Sequence, residues 1–256
     1  MRLDARKRAC LDAMGVEVWH RRDTEPDPNS GDEPADTGGA VIAPAFEDGP
    51  AHTESRTVDS PPPALDAEPD LDWPGLQDAV GQCRSCDLHQ TRTQTVFGVG
   101  DRNASLMVIG EAPGVDEDRL GEPFVGRAGK LLDAMLEAIG FAREQVYIAN
   151  IIKCRPPGNR DPHIEEAASC QPYLHRQIAL IQPKLILSVG RISAHNLLGT
   201  EEAVGRLRGR VHRFDPGDIP LIVTYHPAYL LRRPQEKAKS WQDLQAAYRV
   251  LNDSMD

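Results

Sequence analysis

Four apolar runs divide the chain beyond residue 100, at 106–109, 146–152, 185–189 and 221–225, and each reads as a strand. The first, LMVI, is apolar throughout, the mark of a strand buried on both faces. Between the runs the apolar period changes. Leu131, Leu132, Met135, Leu136 and Ile139 recur at helical spacing, and Gly140 stops that helix. Asp161 and Pro162 read as a cap and first-turn proline for a helix running to about Leu180. Pro172 should kink that helix or divide it in two. Gly190 introduces a helix over 191–198, and a last helix covers 235–251. Upstream, 73–82 reads as a short helix with Pro74 in its first turn, and 95–99 as a short strand. Strands alternating with helices predict an α/β fold, its sheet mainly parallel with helices on both sides. No internal repeat is visible.

In such a sheet, ligands bind outside the carboxyl ends of the strands. Three polar stretches fall at those ends: GEAPG after the first strand, NIIKCRPPGNR at the second and HPAYLLRRP after the fourth. The first opens a long loop, GEAPGVDEDRLGEPFVGRAGK, with five glycines, two prolines, a cluster of carboxylates and one phenylalanine, Phe124. Glycine lets backbone approach a ligand closely, and Phe124 offers a flat apolar face.

The net charge of −10 is unevenly spread. Residues 1–22 carry six basic and three acidic side chains. Residues 23–70 set Arg56 against thirteen carboxylates, with nine prolines. Residues 71–256 hold 22 basic and 23 acidic side chains, so their basic groups are free to cluster on one face. The 23–70 stretch has too little apolar surface to offset ordering and reads as a disordered linker. A phosphate mimic competing for a basic face is the other reading of its charge. Residues 1–22 read as a short helix, 4–14, with a Val16, Val18, Trp19 tip: a frayed terminus or a docking motif for a protein partner. The folded domain is expected over 71–256. No run is long enough to span a membrane and no apolar leader follows the basic start, so a cytoplasmic monomer is expected.

Cysteine usage points to metal rather than disulfides in such a compartment. Cys83 and Cys86 form CxxC, Cys154 follows the second strand, and Cys170 lies in a helix. Cys10 stands apart. Four thiols from scattered elements suit a 4Fe–4S cluster as well as zinc, and spacing alone leaves the two open.

Taken together, GEAPGVDEDRLGEPFVGRAGKLLD, YIANIIKCRPPGNRDP and HPAYLLRRP, with CxxC upstream, closely resemble the family 4, iron–sulfur uracil-DNA glycosylases over about 71–252. The resemblance implies a three-layer αβα sandwich on a four-stranded parallel sheet. It implies that Cys83, Cys86, Cys154 and Cys170 hold a 4Fe–4S cluster of structural role. It also implies a DNA repair enzyme that flips uracil from single- or double-stranded DNA and hydrolyses its N-glycosidic bond, leaving an abasic site.

Such an enzyme must hold an everted base in a tight pocket. Gly110, Gly114, Glu117, Phe124 and Asn150 are the expected uracil-binding residues. Phe124 would stack on the ring. The Asn150 amide can donate to O4 and accept from N3–H, a pattern that cytosine inverts. By resemblance, Glu117 is the wall that excludes thymine's methyl, with the Gly114 backbone nearby. His226 can donate to O2 as negative charge develops there. Well-known superfamily members carry an aspartate where this chain has Ala112. Glu111, next door, is the candidate to orient water and stabilise the sugar cation. Leu230 is the expected wedge filling the vacated stack, and Arg232 and Arg233 the expected phosphate contacts. Arg206, Arg208, Arg210 and Arg213 alternate at strand spacing, as a solvated face or a further DNA contact. Lys153, Arg155 and Arg160 leave the same two readings open.

GEPFVGRAGK lacks GK[ST] and is no phosphate-cradling loop, and no elbow motif supports a hydrolytic serine. The remaining rival is a non-catalytic iron–sulfur module that binds nucleic acid. Relatives that trap uracil-DNA covalently through histidine carry an extra basic loop that KCRPPGNRDP lacks.

Overall fold

The computed structural model describes residues 71–253. The readings made for residues 1–22 and 23–70 lie outside the described residues. In chain order the elements are α1 (Trp73–Gln82), β1 (Val99–Gly100), β2 (Leu106–Gly110), α2 (Val115–Leu120), α3 (Arg127–Ala138), β3 (Tyr147–Asn150) and α4 (Ile164–Ile181). They continue with β4 (Leu185–Val189), α5 (Arg191–Leu198), α6 (Val204–Leu207), β5 (Val211–Phe214), β6 (Ile219–Thr224), α7 (Pro227–Arg232) and α8 (Lys237–Asp253).

The sheet runs β1-β3-β2-β4-β6-β5. Its centre, β3-β2-β4-β6, is parallel throughout, with Val108 opposite both Ile148 and Leu187, and Leu187 opposite Ile222. These are the four expected strands. Two antiparallel edge strands, β1 and β5, bring the total to six. Neither edge carries an apolar run. β1 is only two residues, not the 95–99 expected, and β5 reads VHRF with mostly exposed or half-exposed positions.

Side-chain alternation along the central strands builds the three layers. Leu106 and Val108 point to one face, where Leu132, Met135 and Leu136 of α3 and Leu244 and Leu251 of α8 cover them. Met107 and Ile109 point to the other, under Leu174 and Ile178 of α4 and Ala194 and Leu197 of α5. α1, capped by the Asp72 carboxylate accepting from the Gly75 N–H at 2.9 Å, adds Leu76 and Val80 to a small third cluster with Phe97.

α4 begins at Ile164, with His163 at its cap, rather than at Asp161. Asp161 is instead paired with Arg191. Pro172 does not divide the helix, which continues to Ile181. Its buried Ala167, Cys170, Leu174 and Ile178 are packed against the sheet, and that burial outweighs the one hydrogen bond proline removes. No helix of the described residues is long and apolar enough to cross a membrane.

Candidate active site

The carboxyl ends of the parallel strands open onto one cavity of about 850 Å³. Glu111 enters it from the end of β2, Asn150 from the end of β3, Arg191 from the start of α5 and His226 from beyond β6. Phe124 comes from the long loop after β2. Four sequence-distant loops therefore meet at one rim, as the strand-end rule requires.

Phe124 is buried, and its ring lies 5.5 Å from that of His226, the two planes inclined by 29°. Its φ of +54° is an outlier for a bulky residue and costs about 1–3 kcal/mol unless its surroundings fix it. They do so on both flanks. On one side the Arg143 guanidinium donates to the Pro123 carbonyl. On the other, the Glu117 carboxylate accepts from the amides of Val125 and Gly126 at 3.1 and 3.3 Å. The same carboxylate accepts from Gly114 N–H at 3.1 Å, closing the first turn of α2. Glu117 lines the cavity, but its acceptors are engaged in bracing the loop. Beneath the ring, a Cβ on Gly110 would meet Phe124 Cζ at 2.6 Å and Asn150 Oδ1 at 2.5 Å. Only glycine leaves both side chains where they are.

α2 lies inside what the sequence presented as an uninterrupted loop. Its buried Asp118 accepts from Thr93 through both N–H and hydroxyl, at 2.9 and 2.7 Å. That pair fastens the segment following Cys86 to the loop that carries Phe124.

Asn150 is 2 % exposed, and its Oδ1 has no hydrogen-bond partner. A buried acceptor left unpaired costs about 1–3 kcal/mol. Asn150 lines the cavity, so a ligand donor reaching this side chain would relieve that cost. The Asn150 main-chain carbonyl is by contrast held from behind, by Lys153 Nζ at 3.0 Å.

His226 caps α7, and its Nδ1 accepts from Ala228 N–H at 3.1 Å. Nδ1 thus presents a lone pair, and the ring proton resides on Nε2. Burial, reinforced by the Arg232 charge, pushes its pKa down to about 4, so the ring is neutral at physiological pH. Glu111 moves the other way. Burial and the Asp161 charge raise its carboxyl to about 7, against a partial opposing pull from Arg191.

Several expected residues fall elsewhere. Leu230 is fully buried in the core beside α3, so it is not available as a wedge. Extracting it would forfeit about 1.5–3 kcal/mol of burial. The exposed leucine of the pair is Leu231, at 36 %. Arg232 lines the cavity, while Arg233 is exposed outside its lining. Lys153 is buried and faces no DNA. Arg208 is committed to buried Asp243 through two bonds of 3.0 and 2.9 Å, and Arg213 pairs with Asp218. Arg160 grips Glu166 through two short bonds, and Arg155 donates to Asn159. The Asp161–Arg191 pair beside Glu111 was missed. Arg191 follows Gly190 at the end of β4, and the strand-end rule that singled out the other three loops applied there too.

Cys154 and Cys170 are buried and Cys83 and Cys86 half-buried, all four as free thiols. Among the described residues no three His, Cys, Asp or Glu side chains converge as one metal ion requires. The four thiols nonetheless lie within one another's electrostatic reach. Cys154 is affected by Cys86 and Cys83, and Cys170 by Cys154 and Cys86. Burial pushes Cys170 up to about 12 and raises Cys86 and Cys154, so as bare thiols they stay protonated. Donors already point at the sulfurs. Arg92 Nη1 lies 3.0 Å from Cys154 Sγ, and Lys153 N–H 3.4 Å from Cys170 Sγ. Four thiols within electrostatic reach of one another and supplied with donors are a ligand set that could hold a 4Fe–4S cluster, one sulfur to each iron.

The chain matches the family model of the uracil-DNA glycosylase superfamily over residues 97–245. It is similar to a type-4 uracil-DNA glycosylase of Archaeoglobus fulgidus, 49 % identical over 162 residues that cover 61 % of this chain and 81 % of the relative. It is 40 % identical to one of Pyrobaculum aerophilum over 180 residues, covering 68 % and 92 %. A third, of Thermotoga maritima, is 41 % identical over 158 residues, covering 61 % and 82 %. With the fold, the strand-end cavity and these relatives in agreement, the chain belongs to the uracil-DNA glycosylase superfamily and, within it, to the type-4 family.

Proposed function

We propose that this protein removes uracil from DNA by hydrolysing its N-glycosidic bond, the entry step in repairing deaminated cytosine. The observation that carries this reading is the unpaired Oδ1 of buried Asn150, on the wall of a cavity that Phe124 and His226 share. An everted uracil presents N3–H to that oxygen and O4 to the amide NH₂ of the same side chain. Phe124 stacks on the base, and Glu117, with the Gly114 amide it holds, sets the wall beside it. The Nε2–H of neutral His226 donates to O2 as the base departs as an anion. That donor is fixed in advance and needs no proton transfer. Glu111 as carboxylate orients water and faces the cation-like sugar. Arg232 and Arg233 meet phosphates.

Cys83, Cys86, Cys154 and Cys170 would hold a 4Fe–4S cluster, which supplies a covalent tie between α1, the end of β3 and α4. Iron and sulfide analysis of the purified protein decides this. Four of each per chain are expected, and stoichiometric zinc would overturn it.

The direct test is release of free uracil from a uracil-containing oligonucleotide, with a thymine-containing control. Release from the first alone is expected, and no release would sink the reading. The pH profile tests Glu111 separately. Its working form is the carboxylate, and its pKa is raised to about 7, so the rate should fall about tenfold per unit as pH drops below 7. His226, at about 4, remains neutral over that range. Glu111→Gln should lower the rate and flatten the acid limb. A limb that survives in this variant would assign it to another group.

A further inference from the structure

Three residues beyond Asn150 the chain buries a lysine. Lys153 is 1 % exposed, and its Nζ donates to the Asn150 main-chain carbonyl at 3.0 Å and to Gln177 Oε1 at 2.7 Å. Gln177, fully buried in α4, passes the connection on. Its Nε2 donates to the Phe97 carbonyl at 2.9 Å and to the Tyr147 hydroxyl at 3.2 Å. The Lys153 main chain is fixed as well, its carbonyl accepting from Val96 N–H at 2.8 Å and its N–H directed at Cys170 Sγ.

Burying an ammonium is unfavourable, and an apolar side chain of the same length would fill the space without that cost. What the ammonium adds is direction: it joins two acceptors on different elements at a defined geometry. One of them belongs to the last residue of β3, in a peptide whose N–H, that of Ile151, donates to the Gly110 carbonyl at 3.0 Å, so Lys153 fixes the carbonyl end of a unit already held at its other end. The Asn150 peptide is therefore tethered on the side away from the cavity.

We propose that Lys153 is a positioning residue for base recognition. It sets the angle of the Asn150 amide from behind and ties that angle, through Gln177, to the helix that carries Cys170. The inference rests on the proposed uracil reading of Asn150.

The test is a double-mutant cycle on the full chain. Lys153→Met keeps the stem and removes the ammonium, and it is made alone and together with Asn150→Ala. Two quantities are read: kcat/KM for uracil release, and affinity for an oligonucleotide bearing non-hydrolysable 2′-fluorodeoxyuridine. Alone, Lys153→Met should lower both by about 10-fold or more. In the Asn150→Ala background it should cost less than about threefold, because the amide it positions is gone. Equal losses in both backgrounds would mean a merely structural role and overturn the proposal, as would no loss at all. Comparisons are made at wild-type iron content. If Lys153→Met loses its iron or its fold, Gln177→Met, which removes only the second anchor, takes its place with the same expectation of coupling to Asn150. Failure of the wild-type protein to release uracil would refute the underlying reading. Additive losses with an active wild type would refute the Lys153 role alone.

Discussion

Replacing His226 by alanine should lower single-turnover uracil excision by about 10²-fold or more, the scale of losing one preorganised donor to a developing anion. The magnitude follows from the arrangement of the ring. Its Nδ1 is occupied by the Ala228 amide, its pKa is low, and Nε2–H is left to act as a fixed neutral donor. Alanine also removes a helix cap, worth about 1 kcal/mol, so the melting midpoint serves as a control. The rate is best followed with enzyme in excess, where product release does not enter. An unchanged rate would remove His226 from the chemistry.

Asn150→Asp should lower uracil excision by at least about 10²-fold, because sites built to hydrogen-bond a group discriminate strongly once the pattern is wrong. The second half of the expectation is a gain. A carboxyl buried at this position favours its protonated form, which donates from one oxygen and accepts on the other. That pattern suits cytosine, whose N3 accepts and whose amino group donates. Cytosine release should therefore become measurable where the parent shows none. Loss of uracil activity with no cytosine gain would mean that the side chain supports the pocket without reading the base.

The central sheet was legible because strands buried on both faces are apolar at every position, as LILSV in β4 nearly is. The edges were not, since VG and VHRF carry no such signal. α2 escaped notice for a related reason: its apolar ends, Val115 and Leu120, are exposed, and what fixes it is buried Asp118. The cavity residues were readable as loops at strand ends. Which of two adjacent leucines turns inward was not. Leu230 and Leu231 differ only in their angle around a six-residue helix, and docking against α3 decides it. The alternating arginines left two readings open, and neither could anticipate that Asp243, far along the chain, claims Arg208.

Phe124 sits in a left-handed backbone conformation clasped on both flanks before any DNA arrives. The aromatic floor of the pocket is thus finished during folding, and docking leaves it little to rearrange. Discrimination between lesions then shifts to the duplex. On the proposed reading, a uracil in a weak or mismatched pair surrenders less stacking to leave the helix and would reach a receptor already shaped to receive it.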